Sequence, residues 1–122
     1  MIDADLRKGN CHTLVGWKNH HGLTNILTDG MTLEKCVRRT AVAGLFLRSR
    51  GAVSPYLTDL PGSSKMKELL QDLRERFEFV LIDSPPAIAV SDAVVLSVQC
   101  EGVLLVIRAQ RIIIESARRL VE

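Results

Sequence analysis

Phe79-Val80-Leu81-Ile82-Asp83-Ser84-Pro85-Pro86 decides the reading of this chain. Four apolar residues, two of them β-branched, run into a carboxylate and then into two prolines. A short apolar run bounded by breakers predicts a strand buried on both faces, as in a parallel sheet. Neither proline can donate to a ladder, so the strand ends near Asp83 or Ser84. Asp83 then stands at the carboxyl edge of the sheet, where open α/β folds bind ligands. An acid in that place suits Mg²⁺, a hard cation that prefers oxygen donors. An acid that merely ends a strand and accepts hydrogen bonds from the next turn gives the same sequence.

The second anchor is Met1-Ile2-Asp3-Ala4-Asp5-Leu6-Arg7. Ile2 reads as the last residue of another buried strand. In an extended exit, positions 3, 5 and 7 point to one side. Two carboxylates and a guanidinium there form a metal and phosphate constellation, or else a solvated acidic turn.

Composition narrows the classes. A chain of 122 residues is one domain at most, and 47% hydrophobic residues suffice for a core. No apolar run approaches the length of a membrane span, and no leader pattern opens the chain, so secretion is not expected. The net charge of +2 is mild. The arginines, Arg38, Arg39, Arg48 and Arg50 among them, are scattered and read as a solvated face. No basic stripe with interleaved aromatics occurs, so no nucleic-acid partner is expected. Cys11, Cys36 and Cys100 lie far apart and read as reduced, mostly buried thiols of a cytosolic protein. Cys11-His12 and His20-His21 do not make a four-ligand zinc spacing.

Along the chain, Lys8-Gly9-Asn10 signals a loop. The segment from Cys11 to Lys18 is weakly amphipathic. A short helix is predicted over Leu23–Leu27, stopped by Gly30, and a second after Thr32, with Leu33, Cys36 and Val37 at helical spacing. Gly44–Leu47 reads as a strand and Gly51–Gly62 as a long loop. Ser63 or Ser64 caps the clearest helix, whose apolar face is Met66, Leu69, Leu70, Leu73 and Phe77. Ser91-Asp92 opens a helix through about Cys100. Gly102 ends it, and Val103–Ile107 forms a second buried strand. Ile113, Ala117, Leu120 and Val121 mark the inward face of a last helix. Strands alternating with helices predict βαβ units and a parallel sheet.

Two motifs in combination carry a specific resemblance. Asp3-Ala4-Asp5-Leu6-Arg7 after an apolar strand resembles a second Walker A-type motif. Phe79–Pro86 resembles a Walker B motif. Together they resemble the bacterial tyrosine kinases of capsule and exopolysaccharide synthesis, relatives of the MinD/ParA-type P-loop ATPases. The likeness runs over nearly the whole chain, through His12, Gly22–Leu27, Ser64-Lys65-Met66, Ser91-Asp92-Ala93 and Gly102–Ala109. It implies an α/β parallel-sheet P-loop NTPase fold, Rossmann-like and three-layered, incomplete at both ends. Residues 1–122 would form one partial domain.

The resemblance also implies chemistry. Mg²⁺ and ATP would sit at the carboxyl edge of the sheet. Asp5 would help hold the metal, partly through water, and Asp83 would bind a metal water. Asp3 would lie nearest the γ-phosphate and orient or deprotonate the acceptor tyrosine hydroxyl. Arg7 would be a phosphate or subunit contact, or a surface ion pair. Arg108 would contact nucleotide, and Asp92 would touch the site or cap its helix. The implied partners are a membrane polysaccharide co-polymerase or chain-length regulator, a tyrosine-bearing protein substrate (the kinase itself) and further copies in a homo-oligomer. The implied place is cytoplasmic, at the inner face of the plasma membrane through a partner or a further domain.

The chain departs from that pattern. Gly9 stands where the family often has Pro, and Ser49-Arg50 replace a Pro-Ala pair. No G-x-x-x-x-G-K-[ST] loop occurs, and the only tyrosine is Tyr56. In the family that loop follows a strand lying between the Walker B strand and the Gly102–Arg108 strand. The departures imply an interior piece of an ATP-dependent protein-tyrosine autokinase, inactive by itself. A fragment of a MinD/ParA-type nucleotide-switch ATPase, or a non-catalytic remnant, stands as the alternative, and whether the chain is itself an enzyme is left open.

Overall fold

The computed structural model describes residues 1–53, 55, 58–108 and 114–119. At its centre is β1 (Ile2–Asp3), which is followed by α1 (Cys11–Leu14), α2 (Leu23–Asp29) and α3 (Leu33–Cys36). A hairpin pairs β2 (Arg38–Arg39) with β3 (Phe46–Leu47), Arg38 opposite Leu47 and Arg39 opposite Phe46. Then come α4 (Ser64–Arg76), β4 (Ile82–Asp83), α5 (Asp92–Ser97) and α6 (Ile114–Arg119).

β1 pairs in parallel with β4, Ile2 opposite Ile82 and Asp3 opposite Asp83. The Ile2 amide donates to Leu81 O (2.7 Å) and the Ala4 amide to Asp83 O (2.8 Å). On its other side, the Asp3 amide donates to Arg48 O (2.9 Å) and the Arg48 amide to Met1 O (3.0 Å). β1 is therefore satisfied along both edges, with the chain after β3 on one side and β4 on the other. Both Asp3 and Asp83 end their strands at the carboxyl edge.

α2, α3, α4 and α5 pack on one face of this sheet. Side chains alternate along a strand, so Ile2, Val80 and Ile82 face together. They meet Leu23, Leu27, Leu33, Met66, Leu69, Leu70 and Leu73 in one core. α4 reads in the structure as it does in the sequence. Ser63 Oγ accepts from the Met66 amide (3.2 Å) as its cap, and Met66, Leu69, Leu70 and Leu73 are buried at helical spacing. Phe77 ends the helix and packs edge-on to Phe46, ring centroids 5.4 Å apart. α2 stops at Gly30, which takes the left-handed conformation (φ 66°) that glycine adopts without penalty.

Four expectations are corrected. The strand predicted over Phe79–Asp83 is not buried on both faces: Phe79 is 78% exposed and Leu81 61%. Regular pairing there is confined to Ile82–Asp83. Val103–Ile107 forms no ladder among the described residues and lies exposed, Leu104 at 88% and Val106 at 81%. The helix from Ser91 ends at Ser97, short of Cys100. The exit from β1 is not extended, since the chain turns at Leu6–Lys8. α6 stands where the last helix is predicted, while Tyr56, Ile113, Leu120 and Val121 lie outside the described residues.

Candidate active site

The turn after β1 begins with a side chain. Asp5 Oδ1 accepts from the amides of Arg7 (3.2 Å) and Lys8 (2.9 Å), the local capping that aspartate favours. The turn carries the chain back over the end of β1 so that α1 starts beside Asp3. Gly9 is what lets it pass. A Cβ on Gly9 would lie 2.1 Å from Asp3 Oδ1 and 2.5 Å from the Asp5 carbonyl oxygen. Arg50 holds the loop from the other side, donating from Nε to Gly9 O (3.1 Å) and from Nη1 to Leu6 O (3.3 Å). Ser49 Oγ donates to His21 O (3.1 Å). The pair Ser49-Arg50 thus fastens two loops at the edge of the sheet.

Asp3 is fully buried. Its Oδ2 accepts from the Cys11 amide (3.0 Å), while Oδ1 has no hydrogen-bond partner among the described residues. Cys11 Sγ donates to Asp83 Oδ2 (3.4 Å). Asp3, Cys11 and Asp83 each bring one ligand atom to within 4.8 Å of the other two. Burial holds the Asp3 carboxyl above the ordinary carboxylate range. The Cys11 amide opposes that rise, and the charges of Asp83 and Asp5 add to it. The Cys11 thiol is pushed up to about 12, by burial first and then by Asp3 and Asp83.

Of the residues predicted for the site, Asp3 and Asp83 come together. Asp5 borders them with its Oδ1 turned to the loop amides. Arg7 is engaged elsewhere: its Nε lies 3.4 Å from Asp92 Oδ2, on a carboxylate that is almost wholly buried. Arg7 is thus in an ion pair, as one alternative reads, but its partner is no neighbouring acid: it is the buried Asp92, 85 residues away, which ties the β1 exit to the start of α5. Arg108 is exposed, and no hydrogen bond or ion pair joins it to the cluster among the described residues. Cys11 is the member that sequence reasoning missed. The loop signal at Lys8-Gly9-Asn10 was the only trace of the fold-back that delivers it.

The thiol's environment gives a direct expectation. With a pKa of about 12, the thiolate fraction at pH 8 is on the order of one in ten thousand, and the thiolate is the nucleophile. Iodoacetamide should modify half-exposed Cys100 well before Cys11. Peptide mapping after timed alkylation checks this, and equal rates would contradict the burial of Cys11.

Parallel strands that end in two acids, with helices packed on the sheet, recur in solved kinase domains. The kinase domain of VpsO superposes with a TM-score of 0.93 at 37% identity, over 98% of this chain and 60% of that one. The kinase domain of the Escherichia coli tyrosine kinase ETK gives 0.92 at 33% identity, over 97% and 46%. The tyrosine-protein kinase ptk of Acinetobacter johnsonii is 41% identical over 107 residues, 88% of this chain and 14% of that protein. No family model matches. The chain belongs to the bacterial tyrosine kinase family. It spans about one seventh of the length of such curated relatives and about half of the matched kinase-domain structures.

Proposed function

We propose that the chain is one part of an ATP-dependent protein-tyrosine autokinase of capsule or exopolysaccharide synthesis, contributing the acidic half of its phosphoryl-transfer site. The observation that carries the reading is the pair Asp3 and Asp83, opposite one another at the carboxyl edge, with a buried Asp3 Oδ1 that has no partner among the described residues. Oxygen donors of that kind fit Mg²⁺. Asp83 would hold the metal, directly or through water, with Asp5 helping from the turn, and Asp3 would face the transferring group. When bound, Mg²⁺ neutralises charge on the transferring phosphoryl group.

The chain's own residues would then divide the work. Asp3, locked by the Cys11 amide and by the approach of Gly9, accepts the proton of the incoming tyrosine hydroxyl. Arg7 acts as a positioning residue through Asp92, which fixes the β1 exit against α5. Arg108 is the chain's candidate for a nucleotide contact. No described helix is long and apolar enough to cross a membrane. The membrane polysaccharide co-polymerase, the tyrosine substrate on a second copy and a cytoplasmic site at the inner membrane face belong to this proposal. So does the assignment of residues 1–122 to a single partial domain.

The test is Asp3→Asn in the full coding context of the chain. Phosphotyrosine formation should fall by roughly 10²-fold or more, the scale of general-base catalysis, while ATP affinity stays within a few-fold. Autophosphorylation near wild type in that variant would remove Asp3 from the mechanism.

A further inference from the structure

We propose that Asp3, Cys11 and Asp83 form a site for a thiophilic divalent cation of the Zn²⁺ class, with two carboxylate donors and one thiolate. The donor set differs from an all-oxygen Mg²⁺ site in its sulfur, and sulfur is what selects softer metals over Mg²⁺. Spacing in sequence could not reveal it, because the donors come from β1, α1 and β4.

The geometry is near what such a metal needs. With a Zn–S bond near 2.3 Å and a Zn–O bond near 2.0 Å, a tetrahedral edge between sulfur and oxygen is about 3.5 Å. Cys11 Sγ and Asp83 Oδ2 already stand 3.4 Å apart. All three ligand atoms lie within 4.8 Å of one another, so closing on a metal takes movements of about 1 Å.

Asp3 adds an independent observation. It is 0% exposed, and its Oδ1 accepts from no donor among the described residues. An unpartnered buried acceptor is costly, and a cation is the group that would satisfy it. Oδ2 is held by the Cys11 amide, so the carboxylate is oriented before any metal arrives. Asp83 is exposed and gives an entry from solvent. Three protein ligands leave a fourth position for water, the pattern of an open zinc site. On binding, the thiol proton leaves to solvent and the thiolate sulfur bonds the metal, while both carboxylates bind without change of oxidation state. The cation would compete with Mg²⁺ for Asp83.

The inference does not rest on phosphoryl transfer, and its test needs no nucleotide. Co²⁺ is titrated into the full chain while the thiolate-to-cobalt charge-transfer band is followed. The band should saturate at one equivalent. Cys11→Ser should abolish it, and Cys36→Ser with Cys100→Ser should leave it. Asp83→Asn, at an exposed position that folding tolerates, should weaken the affinity by more than the roughly 10-fold that losing an outer partner costs. Excess Zn²⁺ should bleach the band. No band in the parent chain, a band that survives Cys11→Ser, or affinity unchanged in Asp83→Asn would each overturn the proposal.

Discussion

Arg48→Met is expected to stabilise the chain by about 1–4 kcal/mol, the gain seen when buried ionic groups give way to apolar side chains of similar volume. Arg48 is only 1% exposed. Its Nε, Nη1 and Nη2 have no hydrogen-bond partner among the described residues. It stands opposite Ile2 in a parallel bridge, and so shares the core face of the sheet with that residue. A guanidinium stays protonated even there, so its desolvation is not relieved by losing a proton. Burial pulls its pKa down, and only buried Cys36 works in the other direction. Methionine fills the same space without a charge and adapts its shape. The comparison is of denaturant midpoints at equal m-value, in this chain or in any longer chain that contains it. Arg48→Ala serves as the contrast, because it removes the charge but leaves a cavity that offsets the gain. A lower midpoint for Arg48→Met would mean that the guanidinium has a partner worth more than its desolvation.

Arg48 also marks where the sequence misleads. The arginines read as a solvated face because charged residues are rarely buried without partners. What places Arg48 inside is its register against Ile2, a long-range fact. By contrast, α4 was legible in its buried positions Met66, Leu69, Leu70 and Leu73 and in its serine cap, although Ser63 was not separated from Ser64 and Phe77, read on the apolar face, is where the helix ends. The buried spacing and the cap are local, and local patterns survive into the fold. The two acids were legible for the same reason, as each ends an apolar run. Cys11 was not, because its role depends on a side-chain cap by Asp5 and on a glycine where any Cβ would fall 2.1 Å from Asp3 Oδ1. The apolar runs at Phe79–Ile82 and Val103–Ile107 teach a different lesson. An apolar strand pattern states a need for burial and does not say which element meets it. Ile2, Val80 and Ile82 find α2, α3 and α4, while Phe79, Leu81, Leu104 and Val106 find no cover among the described residues.

That uncovered surface leads to the second large effect. Purified by itself, the 122-residue chain is expected to show no ATP binding and no ATP turnover, and to elute as dimers or larger species. The phosphates of ATP need a cradle of backbone amides and a lysine, and no G-x-x-x-x-G-K-[ST] loop occurs in the sequence. What the chain offers at that edge is Asp3, Asp5 and Asp83, a negative cluster that repels a nucleotide until a cation is bound. The packing points the same way. The accessible surface is 8541 Å², against roughly 6,500 Å² for a compact monomer of this mass. Large apolar side chains stand in that surface: Phe79 and Leu81 on the sheet, and Leu104 and Val106 beyond it, are each more than 60% exposed. Exposed strand-forming residues with unpaired backbone groups are templates for association. Calorimetric titration with Mg²⁺-ATP beside size-exclusion chromatography checks both halves. Micromolar ATP binding by a well-behaved monomer would show that neither the loop nor a covering element is required. Two charged substitutions, Phe79→Lys and Leu104→Lys, separate the causes. They should restore a monomer by interrupting the apolar face, yet leave ATP binding absent, because they supply no cradle for the phosphates.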